Sequence, residues 1–196
     1  DGAGVIVISP LGFLKDEKPY DAVTICALAD FDEASCKMDI SDKWQLFDCG
    51  EDLYAPQSTA DENGCRVIIA WARMPDPFAK NRIGMFCIPR IVEVRNGHRY
   101  FRPHPNAERL FTKKITSPAE AGAGGYKISL GMDNGEDVNI GGYRLSRKND
   151  IITADRSDVF AGHSEIKCVF HTPEIKEGSH LDIYVDPNLI EVYVNN

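Results

Sequence analysis

The fold is decided by two neighbouring stretches of the chain, DCGEDLYAPQ at residues 48–57 and RVIIAWARM at residues 66–74. The second stretch is an apolar, β-branched run of strand length. A polar turn that contains Asn63-Gly64 separates the two stretches, and an Asn-Gly pair flanked by strand-like residues is a strong hairpin signal. This part of the chain is therefore predicted to consist of short β-strands and turns.

The same pattern continues on both sides of these stretches. Asn96-Gly97 predicts a hairpin formed by Ile88–Val94 and His98–Arg102. In the second half Leu181, Ile183 and Val185 alternate with polar residues, and Asp186-Pro187-Asn188 forms the turn to the next alternating strand. Many short strands at roughly 8–12-residue spacing, without a helical stripe, predict an all-β protein whose second half is a β-sandwich.

Composition narrows the class of protein. The chain has 196 residues and a net charge of −8, so a nucleic-acid partner or an anionic membrane surface would be repelled. Its longest apolar stretches, such as Val5–Ile8 and Val67–Trp71, are of strand length, far short of the ~20 residues that span a bilayer. Because the first residue is Asp and no signal segment follows it, a processed product or a fragment is expected, which leaves export open.

The six cysteines are spaced irregularly and form no Cys-x-x-Cys pair. This pattern favours buried free thiols over a zinc site, and a reducing compartment such as the cytoplasm is slightly favoured over the exterior. The five histidines are scattered and none is paired at metal-ligand spacing. No metal and no cofactor are expected.

The two opening stretches resemble the D-x-G-x-D-F-Y-A-P-Q segment, turn and G-W strand of glycoside hydrolase family 32. That family comprises invertases, sucrose-6-phosphate hydrolases, inulinases and levanases. Four further blocks are similar to family motifs and follow in family order: S-P-Q-G at residues 9–12, L-P-R-E at 88–91, Y-Q-R-P at 100–103 and F-V-D-R-S-S-V-E-I-F-V-N at 184–195. Each block alone is a weak signal, but five in order carry the resemblance.

The resemblance implies the last blades of a five-bladed β-propeller followed by a β-sandwich. The expected limits are 1–102 for the propeller blades, 103–113 for a linker and 114–196 for the sandwich, without its last strand. The implied substrates are terminal β-fructofuranosides such as sucrose or sucrose 6-phosphate. The implied mechanism is retaining, with one carboxylate as nucleophile and a second as acid/base.

The resemblance also implies substrate-binding residues, namely Tyr54, Trp71 and Asp52. An aromatic face can cover the C–H surface of a sugar while a hydroxyl or indole N–H binds a sugar hydroxyl. The alternative is that Tyr54 and Trp71 are core aromatics and that Asp52 makes a structural hydrogen bond. Arg90 is expected to pair with a buried carboxylate between blades rather than with substrate.

No catalytic residue is predicted within the sequence. The family carries its nucleophile in N-D-P, a stabilising Asp in R-D-P and its acid/base in Glu-Cys, and none of these motifs occurs in this chain. Asp16, Glu17 and Asp52 could suggest a substitute carboxylate pair, with Asp52 the best of the three, but solvated loop charges, or a structural hydrogen bond for Asp52, are the preferred interpretation. The chain alone is therefore expected to be inert, with a fructose-containing saccharide as ligand and self-association or association with a missing N-terminal part as its protein contacts. The alternatives are a non-catalytic carbohydrate-binding or structural module, or part of a fructosyltransferase.

Overall fold

The computed structural model describes residues 4–15, 17–75 and 84–195, and the regular secondary structure of these residues is almost entirely β-strand. The exceptions among them are a short α-helix at Pro105–Glu108 and a 3-10 turn at Pro118–Ala121. This confirms the all-β prediction. In the described ranges no helix is long and apolar enough to cross a membrane.

The chain divides into two compact units, Asp1–Glu108 and Arg109–Asn196. The propeller, linker and sandwich limits drawn from the sequence stay a prediction. Asp16, one of the candidate loop carboxylates, lies outside the described residues.

In the first sheet of the first unit, two short strands along one edge take the place of a single long one. The strands of this region are β1 (Gly4–Ile8), β2 (Leu11–Lys15), β3 (Lys18–Ala22), β4 (Ile25–Asp32), β5 (Lys37–Ile40) and β6 (Gln45–Leu46). β4 pairs with β1 on one side and with β5 and β6 on the other, all antiparallel. β2 and β3 form a separate hairpin between β1 and β4 that the sequence did not reveal.

The second sheet contains strands from residues 48–57 and from residues 66–74. Its strands are β7 (Leu53–Ala60), β8 (Arg66–Arg73), β9 (Gly84–Phe86), β10 (Arg90–Arg95) and β11 (His98–Pro103). Their order is β11-β10-β8-β7, and β9 also pairs with β8. The β10–β11 turn has Asn96 and Gly97 at φ of 52° and 76°, values that suit a two-residue hairpin turn, so this prediction is confirmed.

Arg99 and Gln45 join the two sheets of the first unit. The Gln45 side-chain amide exchanges two hydrogen bonds with the backbone of Arg99, at 2.7 and 3.1 Å. The buried Arg99 guanidinium donates to the carbonyls of Cys26 and Lys43 in the first sheet region. Phe47 packs edge-on against Phe101, with ring centroids 4.5 Å apart. These contacts fix the position of one sheet against the other.

The second unit is a β-sandwich. Its strands are β12 (Tyr126–Met132), β13 (Asp137–Ile140), β14 (Tyr143–Lys148), β15 (Ile151–Asp155), β16 (Val169–His171), β17 (Ser179–Asp186) and β18 (Leu189–Val194). The sheets β12-β17-β18 and β13-β14-β15-β16 enclose a core of Met132, Leu145, Ile152, Leu181 and Ile183. The predicted inward face of β17 and the turn after Asp186 are confirmed.

The cysteines follow the sequence expectation only in part. All six are free thiols, and Cys26 and Cys87 are buried as the apolar runs around them predicted. Cys36 and Cys65 are exposed, so the expectation of mostly buried thiols is wrong for these two. Cys36 lies in the turn between β4 and β5, and Cys65 lies between the Asn63-Gly64 turn and the next strand.

One face of the first sheet carries exposed aliphatic and aromatic side chains. Phe31 lies directly opposite Met38, and Ala29 lies opposite Ile40, so these four side chains share a face. Exposed fractions on this face are 52% for Phe31, 48% for Met38, 43% for Ile40 and 37% for Ile8. We call Ile8, Phe31, Met38 and Ile40 the Phe31 patch. Exposed apolar side chains on one sheet face favour association with another surface.

We therefore expect the isolated chain to self-associate. Sedimentation velocity should show a weight-average sedimentation coefficient that rises with protein concentration. Met38→Lys should reduce this rise because it places a charge in the Phe31 patch. Asp39→Lys is the matched control, since Asp39 follows Met38 on the opposite face. A monodisperse monomer at every concentration would contradict the expectation.

Candidate functional site

Tyr54 and Trp71 lie side by side on one face of the second sheet. They are direct cross-strand partners in the β7–β8 pair, so their side chains project to the same side. Asp52 precedes β7 by one residue, and alternation places it on the side of Tyr54. Its carbonyl accepts the backbone N–H of Arg73 at 3.1 Å. The structure thus brings the three sequence-predicted residues together and adds Arg73.

A β-bulge at Ala55-Pro56 sets this arrangement. The register runs Ala60↔Arg66 to Gln57↔Ile69 and then shifts by one, so that Tyr54 pairs with Trp71. Ala55 has a φ of 48°, in the left-handed region, and Pro56 has no N–H to contribute to a ladder. Without the shift Tyr54 would pair with Ala72 and would face the buried side of the sheet.

A chain of hydrogen bonds from the first sheet holds the bulge. The N–H of Ala55 donates to the Ser9 hydroxyl at 3.0 Å, and the buried Thr24 hydroxyl donates to the carbonyl of Leu53 at 2.9 Å. The two hydroxyls are 3.0 Å apart. Because the Thr24 proton is used on Leu53, Ser9 is the donor between them. The hydrogen bonds of this junction therefore run from the Ala55 N–H to Ser9, from Ser9 to Thr24 and from Thr24 to the Leu53 carbonyl.

Tyr54 is held from both sides. Its hydroxyl donates to the carbonyl of Ser9 at 3.1 Å, and the Arg73 guanidinium carbon lies 5.5 Å from its ring centroid. The side chain is half-buried. The contact with Ser9 ties the half-buried Tyr54 side chain to the chain segment after β1. The hydroxyl oxygen can still accept a hydrogen bond from a ligand.

Trp71 lies against the backbone of β9. Gly84 is at a φ of 152°, and a Cβ at this position would overlap the Trp71 indole Nε1 and the carbonyl of Ala72. A residue larger than glycine cannot occupy this position while the indole keeps its place. The close approach fixes the indole on the face that also carries Tyr54.

Phe86 extends the pair into a row across three strands. It is the cross-strand partner of Trp71 in β9, and it is 76% exposed. We call Tyr54, Trp71 and Phe86 the aromatic row. Phe86 was not predicted as a site residue. Residues 74–83 separate β8 from β9 in the sequence, and no sequence pattern in them indicates which residue of β9 lies opposite Trp71.

Arg73 was also missed by the sequence analysis. Its guanidinium donates to the carbonyl of Ala22 at 2.9 Å and to that of Glu51 at 3.1 Å. The Glu51 carboxylate in turn lies 3.5 Å from the ammonium of Lys18 in β3. Arg73 and Lys18 thus anchor the β2–β3 hairpin beside the aromatic row.

Asp48 and Arg90 form the ion pair that the sequence predicted for Arg90. The distance between Asp48 Oδ2 and the guanidinium is 2.9 Å, and Oδ1 accepts the N–H of Gly50 at 2.7 Å. Burial, followed by the neighbouring carboxylates of Asp48 and Glu51, raises the pKa of the Cys49 thiol to about 12. Cys49 therefore stays protonated at neutral pH and is no nucleophile. Among the described residues, no group of three or more His, Cys, Asp or Glu side chains could hold a metal ion.

Comparison with known proteins shows what the chain is similar to. The model of the Glycosyl hydrolases family 32 N-terminal domain matches residues 3–105. A sucrose-6-phosphate hydrolase of Vibrio alginolyticus is 24% identical over 213 residues, which covers 100% of this chain and 44% of that protein. One of Bacillus subtilis (strain 168) is 22% identical over 222 residues and is matched over 45% of its length. The chain spans about half the length of these curated relatives.

Solved structures show the same fold. The structure of sucrose-6-phosphate hydrolase from Lactobacillus gasseri superposes with a TM-score of 0.79 at 21% identity, over 98% of this chain and 45% of that one. A mutant Bombyx mori GH32 β-fructofuranosidase in complex with sucrose superposes with a TM-score of 0.62 at 15% identity, over 98% and 47% of the two chains. The likeness confirms the predicted architecture of propeller blades followed by a β-sandwich.

We expect Asp48→Asn to destabilise the first unit. The amide retains an acceptor for the N–H of Gly50 but removes the charge beside Arg90, whose side chain is 5% exposed. The free energy of unfolding should fall by about 2 to 3 kcal/mol, less than for a fully buried pair because Asp48 is 27% exposed. Urea titration followed by circular dichroism measures the change. Asp42→Asn, at an exposed position, is the control, and an equal change in both variants would contradict a special role for the pair.

Gly84→Ala should displace the Trp71 indole. Overpacking at this contact should cost about 1 to 3 kcal/mol of unfolding free energy and shift the Trp71 emission to longer wavelength. A Trp44→Phe background isolates Trp71, since the chain has 2 tryptophans. Gly131→Ala is the matched control, because its nearest neighbour would be the Ser179 carbonyl at 4.0 Å. Unchanged emission in the Gly84 variant would show that the indole is not held by this contact.

Proposed function

The chain belongs to glycosyl hydrolase family 32, and from this premise we propose that it is part of a retaining glycosidase acting on terminal β-fructofuranosides. The observation that carries the proposal is the in-register pair of Tyr54 and Trp71 beside Asp52, on one face of a family 32 chain. In this proposal residues 1–102 contribute propeller blades, 103–113 a linker and 114–196 the sandwich.

The substrate class rests on the relatives. Both curated relatives and the Lactobacillus gasseri structure are named sucrose-6-phosphate hydrolases, and another structural neighbour was solved in complex with sucrose. Sucrose and sucrose 6-phosphate are therefore the proposed substrates of the whole protein. Other terminal β-fructosides share the same fructosyl unit and fall within the proposal.

The face around Tyr54 and Trp71 offers what a sugar requires. The aromatic rings supply apolar surface for the C–H groups of a furanose, and the Tyr54 hydroxyl oxygen is a hydrogen-bond acceptor. A carboxylate such as that of Asp52 accepts hydrogen bonds from sugar hydroxyls. We propose that Tyr54, Trp71 and Asp52 hold the fructosyl unit by these interactions.

The cleavage step requires groups that the sequence lacks. A retaining mechanism uses two carboxyl groups about 5–5.5 Å apart, one as nucleophile and one as acid/base. The three family motifs that carry the catalytic carboxylates are missing from the 196 residues. Asp48 is engaged with Arg90, and Glu51 lies beside Lys18. We propose that the chain positions the substrate and is inert alone, and that the catalytic carboxylates belong to residues outside this sequence.

Two other functions use the same aromatic pair, and the absence of the motifs motivates only the first of them. A non-catalytic carbohydrate-binding module would keep the aromatic pair without any catalytic partner. A fructosyltransferase would use the same fructosyl site with a sugar in place of water as acceptor. The coding sequence upstream of Asp1 separates the first of these from the enzyme, because an enzyme requires the Glu-Cys, R-D-P and N-D-P motifs there.

Calorimetric titration tests the binding part of the proposal. The chain should bind sucrose and fructose but not maltose, and it should release no fructose from sucrose. Trp71→Ala should weaken sucrose binding about tenfold, as expected for the loss of one aromatic contact of roughly 1.4 kcal/mol. Trp44→Ala is the control for removal of a tryptophan. Fructose release by the chain alone would contradict the inert state, and equal affinity for maltose would contradict fructoside recognition.

A further inference from the structure

The aromatic row is longer than one sugar ring needs. Tyr54, Trp71 and Phe86 lie in direct register on three neighbouring strands. Strands are about 4.8 Å apart, so the row extends over about 10 Å along the sheet. That length corresponds to two linked sugar rings rather than one.

Exposure rises along the row. Tyr54 and Trp71 are half-buried, and Tyr54 is tied to Ser9 at the junction of the two sheets. Phe86 is 76% exposed at the far end, on a short strand that pairs with β8. A ligand held at the enclosed end would therefore present its second ring over Phe86.

The surroundings of Phe86 suit a ring that is recognised loosely. Gly84 lies two residues before it on the same face, and the Trp71 indole occupies the position that a side chain at residue 84 would take, so Trp71 and Phe86 follow each other on this face without a side chain between them. Stacking on an aromatic side chain is tolerant of hydroxyl configuration, since it uses the C–H surface of the sugar. Phe86 would accordingly favour a second sugar without fixing its identity.

We propose that Phe86 is a specificity-determining residue that binds the leaving-group sugar of a fructoside. The proposal rests on the function proposed above, because it takes the fructosyl unit to lie at Tyr54 and Trp71. Phe86 is not a catalytic residue in this proposal. It increases the affinity for disaccharides relative to a fructoside with a small aglycone.

Two ligands that differ only in the leaving group test the proposal. Methyl β-D-fructofuranoside and sucrose share the fructosyl unit, and only sucrose carries a second ring. Calorimetry with the full chain should show that Phe86→Ala weakens sucrose binding by a factor of about 3 to 10, the value of one stacking contact. Binding of methyl β-D-fructofuranoside should change less than twofold. Phe86→Trp should retain the sucrose affinity.

Phe31→Ala is the matched control, because Phe31 is also an exposed phenylalanine but lies in the first sheet. It should leave both affinities unchanged. The proposal is overturned if Phe86→Ala leaves sucrose binding intact, or if it weakens both ligands equally, which would place Phe86 at the fructosyl unit or in the fold. If the unsubstituted chain binds neither ligand, the proposed fructoside-binding function itself fails and the role of Phe86 fails with it.

Discussion

The β-bulge at Ala55-Pro56 is the constraint on which the candidate site depends. The hairpin that begins at Ala60 and Arg66 would, in unbroken register, pair Tyr54 with Ala72 and direct the tyrosine to the buried face. One extra residue moves it to the face of Trp71. The left-handed Ala55 is maintained because its N–H is bound by Ser9, which is bound in turn to the buried Thr24. Two sheets therefore cooperate to position one aromatic side chain.

Arginine side chains also hold separate segments of the chain together. Short strands leave many backbone carbonyls at their ends that need hydrogen-bond donors, and arginine supplies them. Arg99 donates to carbonyls of Cys26 and Lys43, and Arg73 to those of Ala22 and Glu51. In the sandwich, the buried Arg147 donates to carbonyls of Met132, Ile175 and Glu177. A guanidinium has five donors in a fixed plane, so one side chain satisfies carbonyls from several segments. Arg73 differs from the other two in that it also lies over a ring of the candidate site.

The sequence predicted the parts of the fold that local chemistry determines. Asn96-Gly97 specifies a two-residue hairpin by backbone preference alone, and the alternation of Leu181 and Ile183 specifies an inward face. The β2–β3 hairpin was missed because residues 15–18 contain neither Asn-Gly nor proline. Tyr54 and Trp71 were named from a resemblance, yet their pairing depends on the bulge, and the position of Phe86 depends on a register across residues 74–83. Both are tertiary properties that no local pattern encodes.

The Phe31 patch and the aromatic row differ in chemistry. The difference indicates that the Phe31 patch suits a protein partner and that the aromatic row suits a sugar. Every described strand residue on the Phe31 face of the first sheet is apolar, from Ile6 and Ile8 through Ala27 and Ala29 to Ile40 and Leu46. Such a face can bury area but offers a sugar no hydrogen bonds, so another apolar sheet is its suitable partner. The aromatic row instead includes a tyrosine hydroxyl and lies beside the Arg73 guanidinium. A sugar needs apolar surface and hydrogen-bonding groups within the same few ångströms, and in the described part of the first unit the face of Tyr54 combines them.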